Sequence, residues 1–188
     1  MKKTLLLLAL LLIAVMTTAC INNFAVEELN NKAVKYLDSG DSETAICRLK
    51  SSLDLNEEFY QTHYNLAIAY NSLENYEGAI KEANRVIELK PDFHDAIYVM
   101  AVAKNEIATK ILDKQLNEDG SKKELTKEEM TDFNNIASEA IELYNEYIVK
   151  KVSAPDEKQI NDRIAELNEI IKEHTFKLGK TQTDSVTE

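Results

Sequence analysis

The 188-residue chain carries 33 acidic and 22 basic side chains, a formal net charge of −11, and 44% hydrophobic residues. Such an acidic surface repels phosphate backbones and argues against nucleic acid as a partner; solubility is the simplest use of the charge. Four glycines, two prolines and apolar residues at three- and four-residue spacing exclude a strand-rich fold and point to an all-α chain.

Met1, Lys2, Lys3 and Thr4 form a short basic start. Leu5 to Met16 is an unbroken apolar run of 12 residues, well short of the roughly 20 that cross a bilayer as a helix. A basic start, an apolar run and a small-residue site compose an export signal over residues 1–19. Thr17, Thr18, Ala19 and Cys20 resemble a lipobox, where bacterial lipoprotein precursors are diacylated and cut before the cysteine. Ala19 and Cys20 match its most informative positions; Thr17 stands where Leu is usual. The resemblance implies a diacylglycerol-type lipid on Cys20 and a membrane-held protein whose folded part is in water. Residues 20–25 are then the lipidated N-terminus and a short linker. Ile21, in place of the Asp that retains lipoproteins at the inner membrane, points to the periplasmic side of the outer membrane in a Gram-negative cell. Two alternatives stay open: ordinary cleavage after Ala19, giving a soluble secreted binding protein, and an uncleaved segment. The remaining chain is long enough for one domain with a continuous core.

Ala33, Tyr36, Ala45, Ile46, Leu55 and Phe59 recur as Ala67, Tyr70, Ala79, Ile80, Leu89 and Phe93, each pair 34 positions apart. A fixed period of about 34 residues with small residues at helix contacts is the mark of a helix-turn-helix repeat that stacks into a solenoid. The first helix pair is expected over about 26–38 and 42–55. Gly40 can take the left-handed conformation at the turn, and Asp41 can cap the next helix. The second pair is expected over about 57–73 and 76–89, with Asn56 as a candidate N-cap. Pro91 stops the fourth helix, because the residue before a proline disfavours helical angles.

Residues 60–93 resemble the tetratricopeptide repeat family. Leu66, Ala67, Tyr70, Tyr76, Ala79, Ala83 and Pro91 occupy its pattern places, with His63 where Trp is usual. Residues 26–59 are a looser copy, with Lys32 at the Leu place and Glu57 at the Pro place. The resemblance implies an all-α, right-handed solenoid of helical hairpins with about three repeats.

The third repeat, 94–152, is altered. Ala101 keeps register with Ala67, yet the matching Ser138, Glu139, Ala140 and Ile141 come late. One first helix is expected to extend to about Asn117. A loop over 118–125 follows, and Thr126 opens a partner helix to about Lys151 through a capping box with Glu129. Two helices of roughly 25 residues, each about 37 Å long, are expected to project as a hairpin. Phe133, Ile136, Ile141, Tyr144, Tyr147 and Ile148 read as its core. A capping helix is expected over 153–175, opened by Pro155, with Ile160, Ile164, Leu167, Ile170 and Ile171 on one face. Residues 176–188 read as a disordered tail.

In a solenoid of this type the first helix of each pair lines the concave surface. By register the inner positions are Asn30, Val34 and Leu37, then Tyr64, Asn65, Ile68 and Asn71, then Tyr98, Val102 and Asn105. Aliphatic, tyrosine and carboxamide side chains suit an extended or helical peptide. Alternatively, the final helix or the N-terminal segment fills the groove. Some members of the family hold a partner's C-terminal carboxylate with Lys, Arg and Asn. Here Asn65 matches one such place, but the basic places carry Asn30, Asp95 and Val99, so that clamp is absent. The stretch from Asp113 to Glu146 is rich in acidic residues. It reads as a solvated surface, or as a contact for a basic partner.

No glycine-rich phosphate loop and no nucleophile or zinc-protease motif occurs, so no enzyme, metal or cofactor is expected beyond the lipid. Cys47 is expected to be a buried small hydrophobe. His63, His94 and His174 are expected at surface or packing positions. The combined reading is a membrane-anchored adaptor in bacterial cell-envelope assembly, binding a peptide or helix of another envelope protein. The resemblance implies roles such as outer-membrane protein insertion, pilus or secretin biogenesis, or regulation of peptidoglycan enzymes. The alternative is a self-associating structural protein, a homo-oligomer joined through the acidic hairpin or the groove.

Overall fold

The structure, a computed structural model, describes residues 23–114, 123–151 and 156–184, with side chains as far as Gly179. The export signal, Cys20, residues 115–122 and Pro155 lie outside the described residues. Those described form seven helices and no strand. They are α1 (23–38), α2 (Ser42–Leu55), α3 (Tyr60–Ser72), α4 (Tyr76–Leu89), α5 (Asp95–Asp113), α6 (Lys127–Lys150) and α7 (Glu157–Asp184). From α2 onward each helix packs against the next, and α3 also touches α5. That is the contact order of stacked hairpins. No described helix is long and apolar enough to cross a membrane.

The turns show the repeat at atomic scale. Gly40 has φ +81° and Asp41 caps α2 by accepting from the Thr44 N–H at 3.1 Å. The same places in the second hairpin hold Glu74 and Asn75. Asn75 accepts from the Gly78 N–H at 3.1 Å. Glu74 has φ +57°, a conformation that L side chains resist. Its carboxylate reaches Lys110 on α5 at 2.8 Å, which ties the strained turn to the next hairpin.

Asn56 caps differently from the expectation. It closes α2, and its side chain accepts from the Glu58 N–H at 3.0 Å. Residues 57–59 therefore form a loop, and α3 opens at Tyr60. Thr126 does open α6 through a reciprocal capping box with Glu129.

The long hairpin does not project alone. Ala108 and Ile111 of α5, Phe133 and Ala137 of α6, and Leu167 of α7 share one core, so α7 lies along the hairpin as a third helix. Its apolar stripe continues beyond Leu167 through Ile170, Ile171 and Leu178. That stripe carries the helix to Asp184, past the Thr175 end read from the sequence and into the tail expected to be disordered. Cys47 is exposed rather than buried. It follows Ile46 by one position, and the 100° turn per residue carries it off the face that buries Ala45, Ile46 and Leu49.

His174 is 4% exposed and meets the Phe133 ring edge-on at 5.1 Å. Its Nδ1 has no hydrogen-bond partner among the described residues. Burial pushes its pKa below the ordinary 6.5, outweighing the pull of Glu173. A depressed histidine pKa gives stability that is full above the unfolded value and lost as pH falls through the folded one. Urea unfolding of the wild type should therefore weaken below about pH 6.5. His174→Phe should remove that acid-side loss, and the same loss in this variant would contradict the assignment.

Candidate functional site: the inner helix layer

The first helices α1, α3 and α5 form one layer, and α7 continues it. Arg163 of α7 donates to Asn105 Oδ1 at 2.7 Å and to Thr109 Oγ1 at 2.8 Å on α5. The final helix thus extends the inner layer in the place of a fourth first helix.

Two of the expected contact residues are buried and already engaged. Asn30 is 6% exposed. Its Nδ2 lies within 2.9 Å of Val26 O, Ser52 Oγ and Thr62 Oγ1. Its Oδ1 accepts from Asn65 Nδ2 at 3.0 Å. Asn105 is buried beneath Arg163. Neither is presented to a partner, because the neighbouring helix supplies the hydrogen-bonding group first. Asn71, half-buried, donates to Val99 O of α5 at 3.1 Å and staples adjacent inner helices.

The remaining positions form a partly open apolar stripe. Val34 is 38% exposed. Leu37 is half-buried against the first core. Tyr64 and Ile68 flank the second, with Tyr64 edge-on to Phe93 at 4.9 Å. Tyr98 stacks at a tilt on Tyr147 at 5.1 Å. Tyr98 and Val102 pack on the cluster that contains Ile160 of α7. At the edge of the stripe Asp95 pairs with Lys151 and accepts from the Tyr147 hydroxyl at 3.4 Å. Burial raises the pKa of Tyr64 and Tyr98, helped by Asp95 for the first and Asp156 for the second. Both phenols therefore stay neutral and able to donate. Helix α3 carries no Asp, Glu, Lys or Arg, so the centre of the layer is uncharged.

A feature the register did not reveal lies on the opposite side. A cleft of about 890 Å³ opens between α2 and α4, with Leu53, Asp54, Ile80 and Arg85 among its walls. His63 lies at this cleft, almost fully buried. Its Nδ1 is 2.6 Å from Glu82 Oε2 and its Nε2 is 2.8 Å from Glu57 O. No group of three or more His, Cys, Asp or Glu among the described residues is placed to hold a metal ion.

No family model and no curated protein matches the sequence. Solved structures do match in shape. The second TPR domain of human RPAP3, solved with the HSP70 peptide SGPTIEEVD, is 14% identical with a TM-score of 0.56, covering 78% of this chain and 98% of that one. MamA from Desulfovibrio magneticus RS-1 is 19% identical with a TM-score of 0.42, covering 79% and 76%. A further MamA structure is 20% identical with a TM-score of 0.46, covering 86% and 78%. Shape and repeat register agree, and the chain has the tetratricopeptide-repeat fold.

Proposed function

We propose that this chain is a protein-binding adaptor whose inner layer takes an extended or helical segment of another envelope protein. The observation that carries the reading is the uncharged stripe of Tyr64, Ile68, Tyr98 and Val102 on adjacent inner helices, each side chain only half-buried. Apolar anchors supply most of the binding energy in such a groove, and the half-buried Asn65 adds hydrogen-bonding capacity. The RPAP3 domain of the same fold is solved with a peptide. That peptide is acidic at its end, and this layer has no basic clamp for it. Its expected ligand is an apolar or neutral segment.

Cys20 is proposed to carry the lipid that holds the adaptor on the membrane, on the strength of the lipobox-like Thr17–Cys20 sequence. Photo-crosslinkers at Ile68 and Val102, in cells with Cys20 intact, should capture the same envelope protein at both positions. Adducts only with a second copy of the chain would replace the adaptor by self-association. In parallel, Cys20→Ala should move the protein from the membrane to the soluble fraction. Unchanged retention would sink the anchor.

A further inference from the structure

The two most exposed large apolar side chains among the described residues stand at the same end of the helix stack. Phe24, on the first turn of α1, is 72% exposed, and Val149, near the end of α6, is 81% exposed. Hydrogen bonds fix their levels. Asn30 of α1 meets Ser52 of α2 and both Thr62 and Asn65 of α3. The 34-residue register then sets Phe24 level with Glu58, just before α3 begins. Leu55, the last residue of α2 and also exposed, lies at this end too. In the third hairpin, Tyr147 and Lys151 of α6 both reach Asp95, the first residue of α5. Val149 therefore lies at the level where α5 begins. Single apolar side chains scattered over a surface need no explanation. These share one end, and the chain itself points to what covers it.

Cys20 precedes Asn23, the first residue of α1, by three positions. Three peptide units span at most about 11 Å. A lipid on Cys20 thus brings the bilayer surface to this end of the stack. The far end of α1 lies roughly 24 Å away at 1.5 Å per residue. Charge does not draw this end to anionic headgroups. Glu57, Glu58 and Asp92 are exposed there, while Lys90 pairs with Asp92 at 3.8 Å and Lys150 with Glu146 at 2.6 Å. The attraction is apolar.

We propose that this end is seated on the membrane: Phe24 and Val149 dip into the headgroup region, and the helix axes stand upright on the bilayer. The proposal rests on the lipid anchor at Cys20. Three side chains bury too little area to bind alone, but the tether makes their contact intramolecular. The seat also orients the inner stripe. Tyr64 and Tyr98 lie within about 6 Å of the starts of α3 and α5 at 1.5 Å per residue. The stripe crosses the helices, so it runs along the bilayer and close to it. The segment it takes is then the membrane-flanking part of another anchored protein.

The chain has no tryptophan, so a single substitution installs a unique fluorophore. Phe24→Trp, Val149→Trp and Leu73→Trp are purified from cells as processed full-length proteins, and mass spectrometry first reads the lipid on Cys20. Leu73, exposed where α3 ends, is the control at the opposite end of the stack. Each protein is reconstituted on phosphatidylcholine vesicles whose acyl chains carry bromine, a contact quencher of tryptophan. Emission from Phe24→Trp and Val149→Trp should shift to the blue and be lost to bromine. Emission from Leu73→Trp should survive the bromine and be lost to acrylamide in the water instead. Quenching at Phe24→Trp without quenching at Val149→Trp would mean a tether with no seat and would overturn the proposal. Equal quenching at all three positions, or at none, would overturn it as well. An unmodified Cys20 would overturn the anchor and the seat together.

Discussion

Close approach of helix backbones at alanine is the constraint on which the rest of the structure depends. Ala33, Ala67 and Ala101 stand at one place of the repeat, and Ala45, Ala79 and Ala140 at another; all six are fully buried. A methyl side chain lets adjacent helices come together without a gap and without strain. The larger residues then interlock around these contacts. Leu49 and Leu66 do so in the first core, and Val86 and Met100 in the second. Each hairpin completes its core only through its neighbour, so a fault at one contact is felt along the stack.

Above that common frame the joints diverge. An apolar seam gains from water release and tolerates small shifts, because hydrophobic attraction has no direction. A buried polar seam must be satisfied atom by atom, and it is weaker evidence for stability than for a specified geometry. Between its first and second hairpins the chain combines the two, the bonded Asn30, Ser52 and Thr62 together with the core of Leu49, Leu66 and Ala69, and between its second and third the core of Val86, Ala96 and Val99 predominates. The long third hairpin, with α7 along it, adds a further apolar core built around Phe133 and Leu167. The inner stripe runs across all three hairpins.

Much of this was legible in the sequence. The 34-residue register gave the helix pairs, the alanine contacts, the Gly40 turn and the Thr126 capping box, because each depends on local spacing. Tyr64, Ile68, Tyr98 and Val102, which the register assigns to the inner face, are half-buried in the structure. What it missed depends on distant neighbours. Asn30 and Asn105 read as exposed because their register places face inward. Only the fold brings Thr62 and Arg163 against them. His63 read as a surface or packing residue, and its partner Glu82 lies 19 positions away on the next helix, where no linear pattern reveals it. The tail past Thr175 looked polar, yet Leu178 continues the α7 stripe onto a core whose other members lie on α5 and α6. Glu74 in a left-handed turn could have been found by setting it beneath Gly40.

The account rests on tight stacking at the repeated alanines, and Ala67 sits at its centre, packed in the core that joins the second and third hairpins. The direct measurement is urea unfolding of Ala67→Leu beside the exposed-site control Ala165→Leu. Overpacking at Ala67 should cost about 1–3 kcal/mol of stability, and the control should stay within about 0.5 kcal/mol of wild type. Equal unfolding midpoints for all three proteins would contradict the account.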